Sequence, residues 1–436
     1  MGQAVRDTMT ALRELGSVAD LRALAAKGYG PDRPPSVNAH VHLPPNFSAF
    51  QSVEQAVDLA AGEGVGVLGS TNYYDYDVYG PFAASARQHG IFPLFGLEII
   101  SMDAALQKAG VLINDPGNPG KFYVCGKGAT LFDPMSERAR ELLQRIRDND
   151  VQRMSEMIDR TARVFADRGL VTGLTTDSVI DMVVRRHGCE PDTVYLQERH
   201  IAQAFQQAIF GAVAAPDRPQ RLRQILDAEP KATDPEDFVG IQNDIRTHLL
   251  KAGKPAFVDE AFLSFIEACE LILELGGIPA YAAVIDGMSP LSPFEQTPAD
   301  LIANMQERNL HFAEMITIRN APEVVMTYTR AFRDAGIPVT AGTEHNTLDL
   351  IPIEPACKGG ASIPQEIREI FWEGACVVAA HQFLSLHGEP GFVDGQGRPH
   401  PDYATADERI RDFAALGAAV IRRYYDTCRL AEEVSL

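Results

Sequence analysis

The sequence predicts an α/β protein built as a barrel of seven or eight strands, with a long helical insertion. Short β-rich runs alternate with helical patterns over residues 36–126, the alternation stops between residues 134 and 275, and it resumes at residue 276. Such alternation is typical of βα units in a parallel sheet or barrel. A doubly wound open sheet is the alternative, but no Gly-rich phosphate loop follows any of the strands.

The predicted elements can be placed in chain order. Residues 1–35 are expected to form two short helices and a Pro-rich lead-in, "GYGPDRPPS". Seven strands are predicted, mostly apolar on both faces: 36–42, 64–71, 91–99, 121–126, 276–284, 310–318 and 337–343. Helical patterns lie near 52–63, 80–89, 321–335, 363–383 and 405–432, and almost throughout 134–275. The predicted domains are the lead-in (1–35), a barrel (36–385) containing the helical insertion (134–275), and a C-terminal extension with a helix (386–436).

The composition restricts the class of protein and its partners. A chain of 436 residues with 45% hydrophobic residues can bury a large core, and it has no apolar run long enough to span a membrane. Its first residues lack the apolar stretch of a secretory signal, and its six cysteines are scattered without a C-x-x-C pair, which predicts a cytoplasmic protein with reduced thiols. The net charge of -20 argues against nucleic acid or an anionic membrane as partner. Whether the chain forms a homo-oligomer stays open.

Two histidines stand two residues apart in "NAHVHLPP", at positions 40 and 42. In an extended strand, side chains at i and i+2 point to the same face. His40 and His42 are therefore predicted to lie side by side at the end of the first strand. A half-solvated strand and a metal site both fit this spacing.

Acidic residues end two further predicted strands. Glu98 closes the third strand and Glu344 follows the last one. In βα barrels the active site lies at the carboxyl ends of the strands, so these carboxylates and the two histidines are expected at one rim. Imidazole and carboxylate groups are common ligands of divalent metals. Alternatively, Glu98 is a salt-bridge partner and "GTEHNT" is a polar turn that caps the next element.

Several motifs together resemble the polymerase-and-histidinol-phosphatase (PHP) family. They are the H-x-H of the first strand, the polar "STNYYDY" of the second, "GLEI" on the third and "AGTEHNT" on the last. In the insertion, "YLQERHIAQAF" resembles the family's R-P-H-hydrophobic-A segment. The resemblance spans roughly residues 36–350. It implies a distorted (β/α)7 TIM-like barrel that holds up to three metals and hydrolyses phosphate esters.

The residues that depart from the family pattern belong to two of its three metal sites. One family site uses both H-x-H histidines, a strand-three Glu and a strand-seven Asp, and its counterparts here are His40, His42, Glu98 and Glu344. The other two sites need groups whose places are taken by Phe47, Tyr73, Tyr123, Tyr281 and Asn346. The resemblance therefore implies a single divalent metal ion, and these ligand types do not choose between Zn, Mn and Fe.

Candidates for catalysis and substrate binding surround this set. His345, Tyr73, Tyr123 and Tyr281 are candidate acid/base or hydroxyl-donor groups. For His345 the alternative is a capping or supporting histidine, and for the tyrosines it is aromatic packing. Cys125 is interpreted as a soft ligand or, alternatively, a buried thiol. The candidate anion-binding residues, any of which could instead form a surface ion pair, are Arg319, Arg199, Lys121 and Lys127.

The leading functional hypothesis is a mononuclear metal-dependent hydrolase, phosphoesterase-like, acting on a small phosphorylated or carboxylated substrate. A metal-bound water would be the nucleophile or base, since a divalent metal lowers the pKa of its bound water to roughly 7. Two alternatives remain: a metal-dependent lyase or isomerase acting on sugar acids, and a non-catalytic barrel that binds a metal or ligand.

Overall fold

A computed structural model describes residues 9–287 and 291–435, with side chains as far as residue 430. Within these residues, seven strands form a sheet that curves into a nearly closed barrel, which confirms the predicted fold class. An additional two-residue strand, β5, pairs only with β3 and lies outside the ring. In chain order the strands are β1 (Ser36–Val41), β2 (Val65–Tyr73), β3 (Phe92–Met102), β4 (Lys121–Lys127), β5 (Leu263–Ser264), β6 (Ile278–Ala283), β7 (Ala313–Ile316) and β8 (Val339–Gly342).

Hydrogen bonds join the end of β1 to the turn that follows β8. Glu344 N donates to His40 O at 2.9 Å, and His42 N donates to Glu344 O at 2.8 Å. Gly342 permits this approach, because a Cβ at that position would lie 2.4 Å from the Cβ of His40. The end of β1 is therefore held directly against the turn that follows β8.

One strand, β4, runs against its neighbours. It is antiparallel to β3 and to β6, whereas the other adjacent pairs of the ring are parallel. The sequence predicts a parallel barrel, so this direction is a correction. Its reason lies in the β3–β4 connection, where Asp103 N donates to Gly120 O at 2.8 Å, so that the chain leaves and re-enters the sheet at one edge. Lys121 consequently lies at the rim, and Lys127 lies at the opposite end beside Gly96.

Helices surround the barrel and fill the insertion. Residues 9–13 are helical. The helices that follow are α1 (Val18–Ala25), α2 (Val53–Gly62), α3 (Tyr79–Gln88), α4 (Ala104–Ala109), α5 (Glu137–Asp167), α6 (Thr176–His187), α7 (Glu198–Ala212), α8 (Arg218–Leu226), α9 (Phe238–Ile245), α10 (Phe265–Glu274), α11 (Pro298–Glu307), α12 (Pro322–Asp334), α13 (Gln365–Leu386) and α14 (Ala406–Ser435). In the described part of the chain, none of these helices is both long and apolar enough to cross a membrane.

Sequence reasoning missed α11, although its start carries a clear signal. Thr297 caps the helix by accepting a hydrogen bond from Asp300 N, and Pro298 occupies the first helical position. A capping Thr followed by Pro is a typical helix start.

The buried apolar residues form two hydrophobic clusters. One fills the barrel and its surrounding helices, and the other lies among the helices of the insertion, within residues 154–256. Helix α5 joins them, because Leu142 in its first half belongs to the barrel cluster and Met157 in its second half to the insertion cluster. Ser136 starts this helix by accepting a hydrogen bond from Ala139 N. The domain boundaries themselves stay a prediction.

Candidate metal centre

His40 and His42 meet inside the barrel at the end of β1. Both side chains are fully buried, and their Nε2 atoms lie 3.2 Å apart. Glu98 of β3 brings its Oε2 to 3.3 Å from His42 Nε2. These three ligand atoms lie within 4.8 Å of one another. The structure thus brings together three of the four predicted ligands.

A carboxylate on β7 fixes the tautomer of His40. Glu314 Oε2 lies 2.7 Å from His40 Nδ1 and 2.5 Å from Lys127 Nζ. Burial alone would raise the pKa of Glu314, but the charges and hydrogen bonds of Lys127 and His40 hold that pKa below its usual value. Because Glu314 is ionised, His40 Nδ1 is the donor and His40 Nε2 carries the lone pair that faces His42 and Glu98.

Two of the three ligand-atom distances in this set fit a small divalent cation. Ligands held at about 2.0–2.1 Å in a tetrahedral arrangement are about 3.3 Å apart. The Nε2–Nε2 distance of 3.2 Å and the Nε2–Oε2 distance of 3.3 Å match that edge length. The other ring nitrogen of His42, Nδ1, is buried without a hydrogen-bond partner in the described part of the chain, so no contact there directs the ring elsewhere.

Tyr73 lies between His42 and the cavity. Its ring stacks on His42 with centroids 4.9 Å apart, and it borders the cavity beside Glu98. Burial, and then the charge of Glu98, raise the pKa of Tyr73 well above its usual value, so the phenol stays protonated. Although burial opposes it, hydrogen bonding and charge from His42, with smaller effects from His40 and Tyr73, keep the pKa of Glu98 below normal.

The turn after β8 places the fourth predicted ligand outside the cluster. Glu344 and His345 are consecutive non-glycine residues with left-handed backbone, at φ 65° and 55°. The Oε2 atom of Glu344 accepts hydrogen bonds from Arg319 Nη2 at 2.8 Å and Asn346 Nδ2 at 2.9 Å. The structure does not bring Glu344 into the three-residue set, and its service as a ligand stays a prediction.

His345 has neither ring nitrogen free. Its Nδ1 lies 2.8 Å from Thr343 Oγ1, its Nε2 lies 3.0 Å from Ile351 O, and its ring stacks on Phe50. Burial lowers the pKa of His345 to about 4. These contacts match the supporting role that the sequence left as the alternative to acid/base catalysis.

The remaining tyrosines separate into two settings. Tyr123 borders the cavity described below, and its hydroxyl donates to Asp115 Oδ2 at 3.4 Å. Tyr281 is fully buried among Phe122 and Phe294, with its hydroxyl on the Glu295 carboxylate. Tyr281 therefore packs as a core aromatic residue, which matches the alternative that the sequence left open for the tyrosines, and its catalytic role stays a prediction.

The two predicted lysines also differ. Lys121 borders the cavity but is paired with Glu260 Oε1 at 2.9 Å. The buried side chain of Lys127 reaches Glu314 inside the barrel. Because β4 is antiparallel, Lys127 enters from the far end of the barrel and does not border the cavity. Anion binding by Lys127 stays a prediction.

A cavity of about 650 Å³ lies between the barrel rim and the helical insertion. Tyr73 and Glu98 form its end nearest the histidines. Arg199 and Arg319 also border it, so the structure brings these two predicted anion-binding residues to one space. Arg199 has no carboxylate at ion-pair distance among the described residues. Burial, and then the neighbouring Arg246 and Arg319, lower its pKa to about 10, so it remains charged at neutral pH.

Sequence reasoning missed two residues of this region. Glu314 is a lone charged residue in the apolar strand segment "AEMI", and that contrast was its available signal. Asp150 of α5 borders the cavity. This helix contains many acidic residues, so the sequence does not distinguish Asp150 as a site residue. Burial raises the pKa of Asp150 to about 7, against the opposing charge of Arg153.

Comparison with known proteins gives similarity in structure alone. No protein-family model and no curated protein sequence matches the chain. A proposed metal-dependent phosphoesterase from Bifidobacterium adolescentis ATCC 15703 is similar with a TM-score of 0.51 and 16% identity, over 78% of this chain and 96% of that chain. An amidohydrolase from Chromobacterium violaceum, solved with bound sulfate and no metal, has a TM-score of 0.49 and 14% identity, over 77% of this chain and 96% of its own. The first of these likenesses shows that the chain shares the barrel fold of a protein assigned to metal-dependent phosphoester chemistry.

Proposed function

We propose that the chain is a mononuclear metal-dependent hydrolase, phosphoesterase-like, that acts on a small anionic substrate. One observation carries the proposal. Glu314 fixes the tautomer of His40, and the resulting lone pair converges with His42 Nε2 and Glu98 Oε2 behind a 650 Å³ cavity. Such convergence leaves three ligands and one open side, as in catalytic rather than structural metal sites.

The burial of the predicted ligands determines from which side a substrate reaches this centre. His40 and His42 are fully buried, whereas Glu98 and Tyr73 border the cavity. A divalent ion bound there supplies Lewis-acid polarisation of a phosphoryl or carbonyl oxygen and lowers the pKa of a bound water. The substrate therefore enters along the Glu98 side, past the Tyr73 hydroxyl.

Local charge favours an anion despite the net charge of -20. Lys127 offsets Glu314, so Glu98 is the carboxylate that remains to offset a divalent ion. The centre is then positive by about one charge when loaded, and Arg199 adds an unpaired guanidinium to the cavity wall. A guanidinium group offers two parallel N–H donors, and this geometry suits phosphate and carboxylate oxygens.

Two tyrosine hydroxyls can donate hydrogen bonds to substrate oxygens. Burial raises the pKa of Tyr73 and of Tyr123, so both hydroxyls stay protonated at neutral pH. Both residues border the cavity. Tyr123 Oη donates to Asp115 Oδ2 at the long distance of 3.4 Å, so a leaving-group oxygen can compete for this hydrogen bond.

Metal content and ester hydrolysis test the proposal together. We expect about one equivalent of metal per chain in the purified protein, lost in His42→Gln and retained in His381→Gln, a matched change of a buried histidine outside the centre. Metal-dependent hydrolysis of phosphate or carboxylate esters should fall at least about 100-fold in Glu98→Gln.

Two outcomes would contradict the proposed hydrolase function. Metal content unchanged by His42→Gln would remove the site. Inactivity on every ester, combined with turnover of sugar acids, would replace the hydrolase by the lyase or isomerase.

A further inference from the structure

Lys127 reaches the metal centre from the end of the barrel opposite the cavity. Antiparallel pairing of β4 sets Lys127 beside Gly96 and Ile278, and its side chain is 2% exposed. The ammonium contacts three oxygens: Glu314 Oε2 at 2.5 Å, Ala39 O at 3.0 Å and Thr71 Oγ1 at 3.5 Å. A cation position inside the barrel is thus filled by the chain's own side chain.

A second set of metal-ligating atoms adjoins this ammonium. His40 Nδ1, Cys125 Sγ and Glu314 Oε2 lie within 4.8 Å of one another, with the sulfur 3.9 Å from the nitrogen. Cys125 lies on β4 directly opposite Glu98 of β3, so the two sets are neighbours.

The two sets compete for one histidine. A neutral imidazole has a single ring lone pair. If His40 offers Nε2 to the set with His42 and Glu98, its Nδ1 must carry the proton that it donates to Glu314. If it offers Nδ1 to the set with Cys125, its Nε2 is protonated and the first set loses a ligand.

We propose that Lys127 settles this competition and makes the centre mononuclear. Its ammonium takes the cation position beside Glu314 Oε2, repels a second cation from the Cys125 set, and keeps Glu314 as the acceptor of the His40 Nδ1 proton. A single metal is thereby directed to His40 Nε2, His42 and Glu98, next to the cavity. This inference rests on the metal site of the proposed function, and Lys127 acts in it as a positioning residue.

Cobalt substitution tests the assignment, because a cobalt–thiolate bond absorbs strongly in the near ultraviolet and a cobalt–imidazole–carboxylate site does not. The full-length protein is stripped of metal and titrated with Co²⁺. We expect about one equivalent without a thiolate band in the wild type. In Lys127→Met we expect the thiolate band to appear, and in Lys127→Met with Cys125→Ser we expect it to disappear again. Lys121→Met is the matched control at the other end of β4 and should keep the wild-type spectrum.

The outcomes separate this inference from the proposed function. A thiolate band in the wild type, or a Lys127→Met variant that binds cobalt with an unchanged spectrum and stoichiometry, overturns the role of Lys127 and leaves a metal-binding protein. No cobalt binding in the wild type overturns both proposals. If Lys127→Met does not fold, Cys125→Ala decides instead, because it should leave cobalt affinity unchanged within about twofold, and a tenfold loss would overturn the assignment.

Discussion

The barrel interior behind the cavity, called the floor below, and two residues of the cavity wall hold charge in opposite ways. On the floor, inside the barrel, Glu314 lies against both Lys127 and His40, and Glu98 against His42. On the wall, built partly by the insertion, Arg199 and Asp150 have no ion-pair partner among the described residues, although both are partly buried. A buried charge destabilises the fold unless it is paired. The paired charges of the floor therefore hold these side chains in a single arrangement. The wall keeps charge that a ligand can pair.

This difference assigns different consequences to mutations in the two regions. Loss of a floor residue leaves its partner buried and unpaired, so stability and metal affinity should fall together. Loss of Arg199 or Asp150 removes no ion pair, so ligand binding should change while the free energy of unfolding stays constant or rises.

The largest effect is expected on the floor, for Glu314→Leu. It leaves the Lys127 ammonium without its carboxylate and His40 without its orienting acceptor. We expect the free energy of unfolding to fall by about 3–5 kcal/mol and metal affinity by about 10- to 100-fold. Urea denaturation and competition titration with a chelator measure the two quantities.

Adding Lys127→Met to Glu314→Leu supplies the control. Removal of both charges should recover most of the lost stability, although not the metal affinity. A loss below about 1 kcal/mol in the single variant would mean that the floor tolerates an unpaired charge as the wall does.

A smaller effect is expected on the wall, for Arg199→Ala. Affinity of the metal-loaded protein for inorganic phosphate should weaken by about 10- to 100-fold, because a charge-assisted hydrogen bond is lost. The free energy of unfolding should stay within about 0.5 kcal/mol of the wild type. Calorimetric titration with phosphate and urea denaturation measure these effects.

Arg319→Ala is the matched comparison, since that guanidinium is already paired with Glu344. Its effect on phosphate affinity should be several-fold smaller. Equal losses in the two variants would show that the unpaired state of Arg199 carries no special function.

The contrast also explains what the sequence could predict. Strand geometry places side chains by alternation, so His40 and His42 could be assigned to one face and Glu98 to the same rim from spacing alone. The sequence could not predict which of Lys121 and Lys127 borders the cavity, because the direction of β4 depends on the Asp103–Gly120 contact and not on the strand's own residues. Glu314 was overlooked because a single carboxylate within a strand has no periodic signature.

The wall was less predictable for a physical reason. Helical periodicity shows which face of a helix is buried, but not whether that face meets apolar side chains or a cavity. Asp150 on α5 therefore could not be distinguished from its exposed neighbour Asp148. Arg199 was found through the family resemblance of its segment and not through its spacing.

The smallest effect is expected for Asp150→Asn, and its sign depends on pH. Burial raises the pKa of Asp150 to about 7 in the folded state, whereas a carboxyl in the unfolded chain titrates at about 3.9. Between these values the folded state holds a proton that the unfolded state has lost, so the wild type loses stability as pH rises from about 4 to 7. The amide that replaces the carboxyl in the variant does not titrate in this range. The variant should therefore be more stable than the wild type by about 1–2 kcal/mol at pH 8, a value reduced from the full shift because the side chain borders a cavity, and about equal to it at pH 4.

Urea denaturation at the two pH values measures this difference, and Asp148→Asn is the control on the same helix. A gain at pH 8 that Asp148→Asn reproduces would reflect net charge and not burial. A gain confined to Asp150→Asn would show that the wall carries a buried charge at a cost in stability, as expected of a group kept for a ligand. The floor offers no such gain, because each of its charges is already opposed by another side chain.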